Sequence, residues 1–213
     1  MSDKWLSRIS RFINLIDRNE DISINEEEIN CLLEKEKRIN IIKAWNFNCT
    51  NSIIKNGEFV RNFLSPAWTY TKKAKHKILE LRNKHSCLIG IHARRGDYKD
   101  YQNGKHYHSW NAYKQWIQET RSMLISEGIL NPGFVFCSDE EPDQSVYSGL
   151  PVHFMEKSTM MTDLHILSLC DYSFGPPSSF GTWSSWFGKV PRLVINKLTE
   201  IKTLNQFKVS TTC

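Results

Sequence analysis

The sequence predicts an α/β fold, a mostly parallel sheet preceded by a helical N-terminal segment. Three observations predict it. Short apolar runs of strand length recur in the second half, at residues 87–92, 134–138 and 172–174. Helical patterns separate them, at residues 110–126 and 163–170. Through the first 45 residues or so, by contrast, apolar residues recur at helical spacing. Strands that alternate with helices need crossover connections, and those make neighbouring strands parallel.

Taken in order, Trp5, Ile9, Phe12, Ile13 and Ile16 form one apolar stripe, and Ile29, Leu32, Leu33, Ile39 and Ile42 a second. Ser23-Ile24-Asn25-Glu26 between them has the capping-box pattern. The stretch from Asn46 to Leu64 reads as irregular, with Asn and Gly marking turns. Ser65-Pro66 then opens a helix, with Ser as N-cap and Pro at the first helical position. It runs through Trp68, Ala74, Ile78 and Leu81 and stops near Asn83. Residues 1–55 are expected as the helical segment and 56–213 as the nucleotide-binding domain. Within the latter, residues 152–154 supply a third strand, 178–187 a helix and 193–195 a last extended piece. Ligands of such sheets bind at the carboxyl ends of the strands. Chemistry is therefore expected just after His92, Ser138 and Phe174.

A length of 213 residues suits one large domain, or one domain with a helical extension. Hydrophobic residues make up 40% and charged ones 24%, the balance of a globular protein. No apolar run of about eighteen residues occurs, so no transmembrane segment is expected. Met1-Ser2-Asp3-Lys4-Trp5 lacks the features of a secretory signal, and the chain reads as cytoplasmic. The net charge of +5 fits an anionic ligand such as a nucleotide diphosphate, and equally many proteins without one. The six cysteines show no CxxC or zinc spacing, which indicates a reducing compartment without a disulfide framework.

Three stretches carry chemistry. In His92-Ala93-Arg94-Arg95-Gly96-Asp97-Tyr98, two guanidinium groups follow a strand, beside a glycine that admits close backbone approach. Guanidinium binds phosphate oxygens in pairs and keeps its charge at any working pH. Alternation puts His92 and Arg94 on one side of the extended chain and Arg95 on the other. Only one arginine can easily face the ligand, while the other pairs with Asp97 or holds the loop. The bland alternative is a solvated basic turn. In the second stretch, Phe136 to Glu141, an acidic turn follows a buried run, and Ser138 and Asp139 stand closest to the strand end. It could receive a sugar hydroxyl or a divalent metal, but a strict Asp-x-Asp pattern is absent.

The third stretch runs from Asp163 to Tyr172 and on through Gly175-Pro176-Pro177-Ser178-Ser179-Phe180. Ser178 and Ser179 open a helix after a strand, so backbone N–H groups and hydroxyls cluster where helix N-termini bind phosphate. An ordinary N-cap would look the same. Trp183 and Trp186 read as core. His92, Arg94 and Arg95 followed by Lys99, Tyr101, Lys105 and Tyr107 could in principle hold a nucleic-acid strand. The mild charge and the acidic second turn argue against that partner.

Together, Ile91 to Tyr98, Phe136 to Glu140, Asp163 to Cys170 and Ser178 to Trp183 resemble the α-1,2-fucosyltransferase family and the related α-1,6- and protein O-fucosyltransferases. The likeness spans roughly residues 86–195. It implies two Rossmann-like halves in the GT-B arrangement, of which this chain carries the donor half. It implies GDP-fucose as donor substrate, a glycan acceptor, and no metal or other cofactor. It implies that His92 lies by the nucleotide, Arg94 holds the β-phosphate, Asp163 recognises guanine, and Ser178, Ser179 and Phe180 line the phosphate pocket. Inverting displacement at the fucose anomeric carbon would follow, with Arg94 stabilising the departing GDP. Asp97 is expected to be structural and Asp100 the catalytic base. The family's glycine-rich turn, which opens its N-terminal half, has no counterpart here, and a mostly helical pattern is not expected to build that half. The alternative reading is accordingly a reduced, non-catalytic nucleotide- or glycan-binding relative.

Overall fold

The computed structural model describes residues 13–17, 23–34, 39–43, 46–48, 50–65, 68–155 and 158–210. The chain divides into two compact units, Met1–Phe63 and Leu64–Cys213.

In the first unit, strands β1 (Ile13–Asp17) and β2 (Ser23–Asn25) precede helix α1 (Glu26–Glu34). Strands β3 (Ile39–Lys43) and β4 (Asn46–Asn48) and helix α2 (Thr50–Phe63) follow. β1 pairs with β3 and β2 with β4, both in parallel, so α1 lies within a crossover between parallel strands. This corrects the helical reading of Ile13–Ile16 and Ile39–Ile42. Short Ile-rich runs satisfy either periodicity, and branching at Cβ favours the strand. Trp5, Ile9 and Phe12 lie outside the described residues. The capping box exists, but two residues further on: Glu28 N–H donates to Asn25 Oδ1 (2.9 Å), and Asn25 N–H to Glu28 Oε2 (3.3 Å). α2 replaces the expected irregular stretch. The Glu26 carboxylate accepts from Asn51 N–H (3.0 Å) and from the Ser52 hydroxyl, so α2 is capped by a residue distant in sequence.

The second unit follows the sequence closely. Helix α3 (Trp68–Arg82) leads into β5 (Cys87–Ala93), with Pro66 of the start signal outside the described residues. Then come α4 (Trp110–Ser126), β6 (Pro132–Ser138) and β7 (Val152–Phe154). α5 (Met160–Leu167), β8 (Tyr172–Gly175), α6 (Ser179–Gly188) and β9 (Arg192–Val194) complete it. The five strands lie in the order β7-β6-β5-β8-β9, every neighbouring pair parallel.

β5 is buried along its whole length because helices cover both faces. On one face Ile89 and Ile91 pack with Phe134, Phe136 and the α4 residues Tyr113 and Ile117. On the other, Leu88 and Val135 pack with Ala74, Ile78 and Leu81 of α3 and with Ile166 and Leu167 of α5. Each such aliphatic or aromatic side chain contributes about 1.5–3 kcal/mol on burial. Gly90 is needed for this second layer, since a Cβ there would stand 2.7 Å from Leu167 Cδ2.

The amino end of the sheet is closed by paired polar groups. Arg82 donates to both Asp171 oxygens at 3.0 Å, and Leu88 N–H donates to Asp171 Oδ2 at 2.8 Å. Beside them, His85 Nε2 meets His153 Nε2 at 2.8 Å, and His85 Nδ1 meets Asn131 Oδ1 at 3.3 Å.

Candidate functional site

From β5 the chain winds outward through β6 and β7, then returns to the other side of β5 for β8 and β9. The winding reverses between β5 and β8, and the crevice outside their carboxyl ends is where open α/β sheets bind ligands. All three sequence motifs end at this rim.

His92 is the penultimate residue of β5, on the face that looks toward α5 and α6. It is buried, its ring lies 4.8 Å from that of Phe180, and its Nδ1 has no hydrogen-bond partner among the described residues. Burial, followed by the charges of Arg192 and Arg94, pulls its pKa down to about 3, so the ring is neutral. Gly175 backs directly onto it, and a Cβ there would overlap the His92 carbonyl oxygen.

The two arginines part company. Arg94 lines the pocket beside His92, as alternation predicts, but its Nε and Nη2 each donate to an Asp97 oxygen at 2.8 Å. Asp97 is therefore Arg94's partner, and of the two roles expected for Arg95 it takes the second. The chain leaves the extended conformation after Ala93 and enters a 3₁₀ turn at Asp97–Lys99, which aligns residues three apart. Arg95 holds the loop. Its buried guanidinium donates to Glu140 Oε2 (2.8 Å), to the His108 carbonyl and to the Tyr107 hydroxyl, and lies 3.8 Å over the Trp110 ring. Its side chain is committed to this network and does not line the pocket.

Asp139 ties the two turns together, accepting from Arg95 N–H at 2.7 Å. Asp163, in the first turn of α5, accepts from the Ser158 hydroxyl, with Cys137 beside it in the same pocket wall. Burial raises the pKa of Asp163 against that donor. His92, Arg94, Ser138, Asp139, Asp163 and Phe180 all line one pocket of about 290 Å³. A second, of about 520 Å³, shares Ser138, Asp139, Ser158 and Asp163 with it and extends along Glu140 and Glu141 toward Phe154.

Ser178 is the N-cap of α6, but its side chain makes no capping bond. The first intrahelical bond runs from Thr182 N–H to the Ser178 carbonyl, at 3.0 Å. The N–H groups of Ser179, Phe180 and Gly181 have no partner among the described residues. Ser178 and Ser179 stand just beyond the pocket wall that Phe180 forms. Asp100 is exposed on the turn after Arg94 and lines neither pocket.

The sequence reading missed Ser158, which supports Asp163, Cys137, which lines the same pocket, and Arg192, which holds the Gly175 and Pro176 carbonyls. Only Arg192 left a signal, as the one charge in the apolar run Val190-Pro191-Arg192-Leu193-Val194-Ile195. Among the described residues no three His, Cys, Asp or Glu side chains gather as a metal site, and no helix is long and apolar enough to cross a membrane.

No family model and no curated protein matches the chain. Among solved structures it is similar to POFUT1, a protein O-fucosyltransferase. A complex of POFUT1 with GDP is 15% identical, covers 81% of this chain and 59% of that one, and has a TM-score of 0.48. A complex with GDP-fucose is 15% identical over 77% and 54% of the two chains, with a TM-score of 0.45. The chain thus spans between half and three-fifths of the length of these structures.

Proposed function

We propose that the second unit binds GDP-fucose and transfers fucose, with inversion, to a hydroxyl of a glycan acceptor. One observation carries the reading: three motifs far apart in sequence converge on one pocket at the switch point of a parallel sheet. The adjoining pocket of about 520 Å³ falls within the ~300–1,000 Å³ range of small-molecule sites.

In this reading guanine lies along the acidic wall and donates its N1–H and N2–H groups to Asp163. The ribose passes His92, whose neutral ring offers a hydrogen bond without repelling or attracting charge. The diphosphate sits between Arg94 and the free N–H groups of α6. The acceptor oxygen attacks the anomeric carbon as the bond to the β-phosphate oxygen breaks, and GDP departs with the electron pair. Arg94 neutralises that developing charge, a contribution that preorganised cations make to many transfers. The proton of the attacking hydroxyl goes to Asp100, which requires the acceptor to approach over the exposed turn outside both pockets, because Asp97 is engaged by Arg94 and Asp139 by the backbone of Arg95.

The experiment is a thermal-shift comparison of GDP, UDP, ADP and CDP, followed by single-turnover assays with GDP-fucose. GDP should give the largest shift, since ligands that bind only the native state stabilise it by mass action. Equal shifts for all four would remove the guanine assignment. A GDP-specific shift with neither hydrolysis nor transfer would favour the non-catalytic binding protein.

A further inference from the structure

Arg192, at the start of β9, is 5% exposed, and no carboxylate pairs with it among the described residues. Its Nη2 donates to the carbonyls of Gly175 (3.3 Å) and Pro176 (2.6 Å). Its other two nitrogens, Nε and Nη1, are not among the fully enclosed unpartnered atoms, so that side of the guanidinium is open to a ligand. Burial lowers its pKa only to about 10, so it carries full charge at neutral pH. A Cβ on Gly181 would lie 2.5 Å from Nη2 and 2.7 Å from Nε, which presses the guanidinium against the first turn of α6. That is the positive end of the helix dipole, where a cation is unfavourable.

A buried cation without a counter-ion, set against a helix N-terminus, is doubly costly. Around it are free N–H groups on Ser179, Phe180 and Gly181 and the unpartnered Nδ1 of buried His92. An anion beside the first turn of α6 would meet the helix N–H groups and the open side of the guanidinium. We infer that Arg192 is a positioning residue for a bound diphosphate: it holds the Gly175–Pro176 backbone in place and supplies buried counter-charge from beneath the first turn of α6. That the anion belongs to a nucleotide rests on the function proposed above.

The test compares wild type with R192M and R192K, without ligand and with GDP or inorganic pyrophosphate. R192M keeps the side-chain bulk and removes the charge. Relief of the buried charge offsets the loss of its two carbonyl bonds, so it should melt within a few degrees of wild type without ligand, yet bind both compounds at least about tenfold more weakly and with a shallower salt dependence. R192K should bind within a few-fold of wild type. An ordinary structural arginine would give the reverse, a lower melting temperature with affinity unchanged, and that result overturns the inference. So does wild-type affinity in a folded R192M. Should R192M fail to fold, R192K decides, and a tenfold loss of affinity there counts against the inference. Arg192-dependent binding of pyrophosphate with no gain from guanosine would sink the nucleotide reading and leave the inference standing. If wild type binds neither compound, both fall.

Discussion

The two ends of the central sheet treat polar groups in opposite ways. At the amino end a ring of polar groups pairs internally: Arg82 with Asp171, Asp171 with Leu88 N–H, His85 with His153 and Asn131. At the carboxyl end His92 Nδ1, three N–H groups of α6 and most of the Arg192 guanidinium lack partners among the described residues. Both ends are built from the same residue types. What separates structural from functional polarity here is whether the protein itself completes the hydrogen bonds, since an unmet buried group is costly unless a ligand meets it.

The contrast is sharpest between the adjacent arginines, and there the largest effects are expected. Arg94→Lys keeps the charge but loses the two-donor fork, so fucose transfer should fall about 100-fold while the melting temperature holds. Arg95→Lys should cost about 2–3 kcal/mol of stability, because it breaks a buried pair and its aromatic stacking. Transfer rates and melting curves of both variants separate the roles. An active, unstable Arg94→Lys beside a stable, inactive Arg95→Lys would reverse the assignment.

At the opposite end, Asp171→Ala should cost about 2 kcal/mol in chemical denaturation, since it strands Arg82 and the Leu88 N–H. The stabilisation by GDP should be unchanged. A loss of GDP response would show that the two ends are not separable.

Acid should weaken the fold more gently. Burial lowers the pKa of His92 to about 3 and of His108 to about 4, and lowers those of His153 and His165 as well. A histidine depressed in the folded state adds stability above its unfolded pKa, about 6.5, and that stability is lost as pH falls toward the folded value. Asp163, raised by burial, works in the opposite sense, favouring the folded state below its unfolded pKa. Four histidines against one carboxylate give a net decline in denaturation free energy between about pH 7 and pH 5. A flat profile would contradict it. The smallest expected effect is none: EDTA should leave GDP-fucose binding intact, because arginine and backbone N–H groups neutralise the diphosphate. Abolition by EDTA would move Asp139 and Glu141 into a metal site.

The second unit was legible because its strands are short apolar runs bounded by turn residues, and its helices are long enough to show their period. The first unit was not, because Ile13-Asn14-Leu15-Ile16 carries apolar residues at spacings that both periods allow. Nor could local sequence show that Glu26 caps α2 from 25 residues away. At the site, alternation correctly placed His92 and Arg94 on one wall, since β5 is extended to Ala93. It left the partner of Asp97 open, because the rule ends where the strand does. The apolar neighbours of Arg192 marked it as unusual, but its setting under the first turn of α6 is visible only in three-dimensional packing.

The position of β5 also sets the order in which the sheet can be made. Its partners are β6 and β8, and the register joins Ile89 to Phe134 on one side and to Tyr172 on the other. As the chain grows from the ribosome, β6 arrives first, and the opposite edge of β5 stays bare until Tyr172–Gly175 has been synthesised. Contacts this distant are slow to form, and an unpaired apolar edge is a template for other chains. Synthesis that stalls between residues 140 and 170 would leave that edge open at its most exposed, so truncations ending there should aggregate rather than remain as folded fragments.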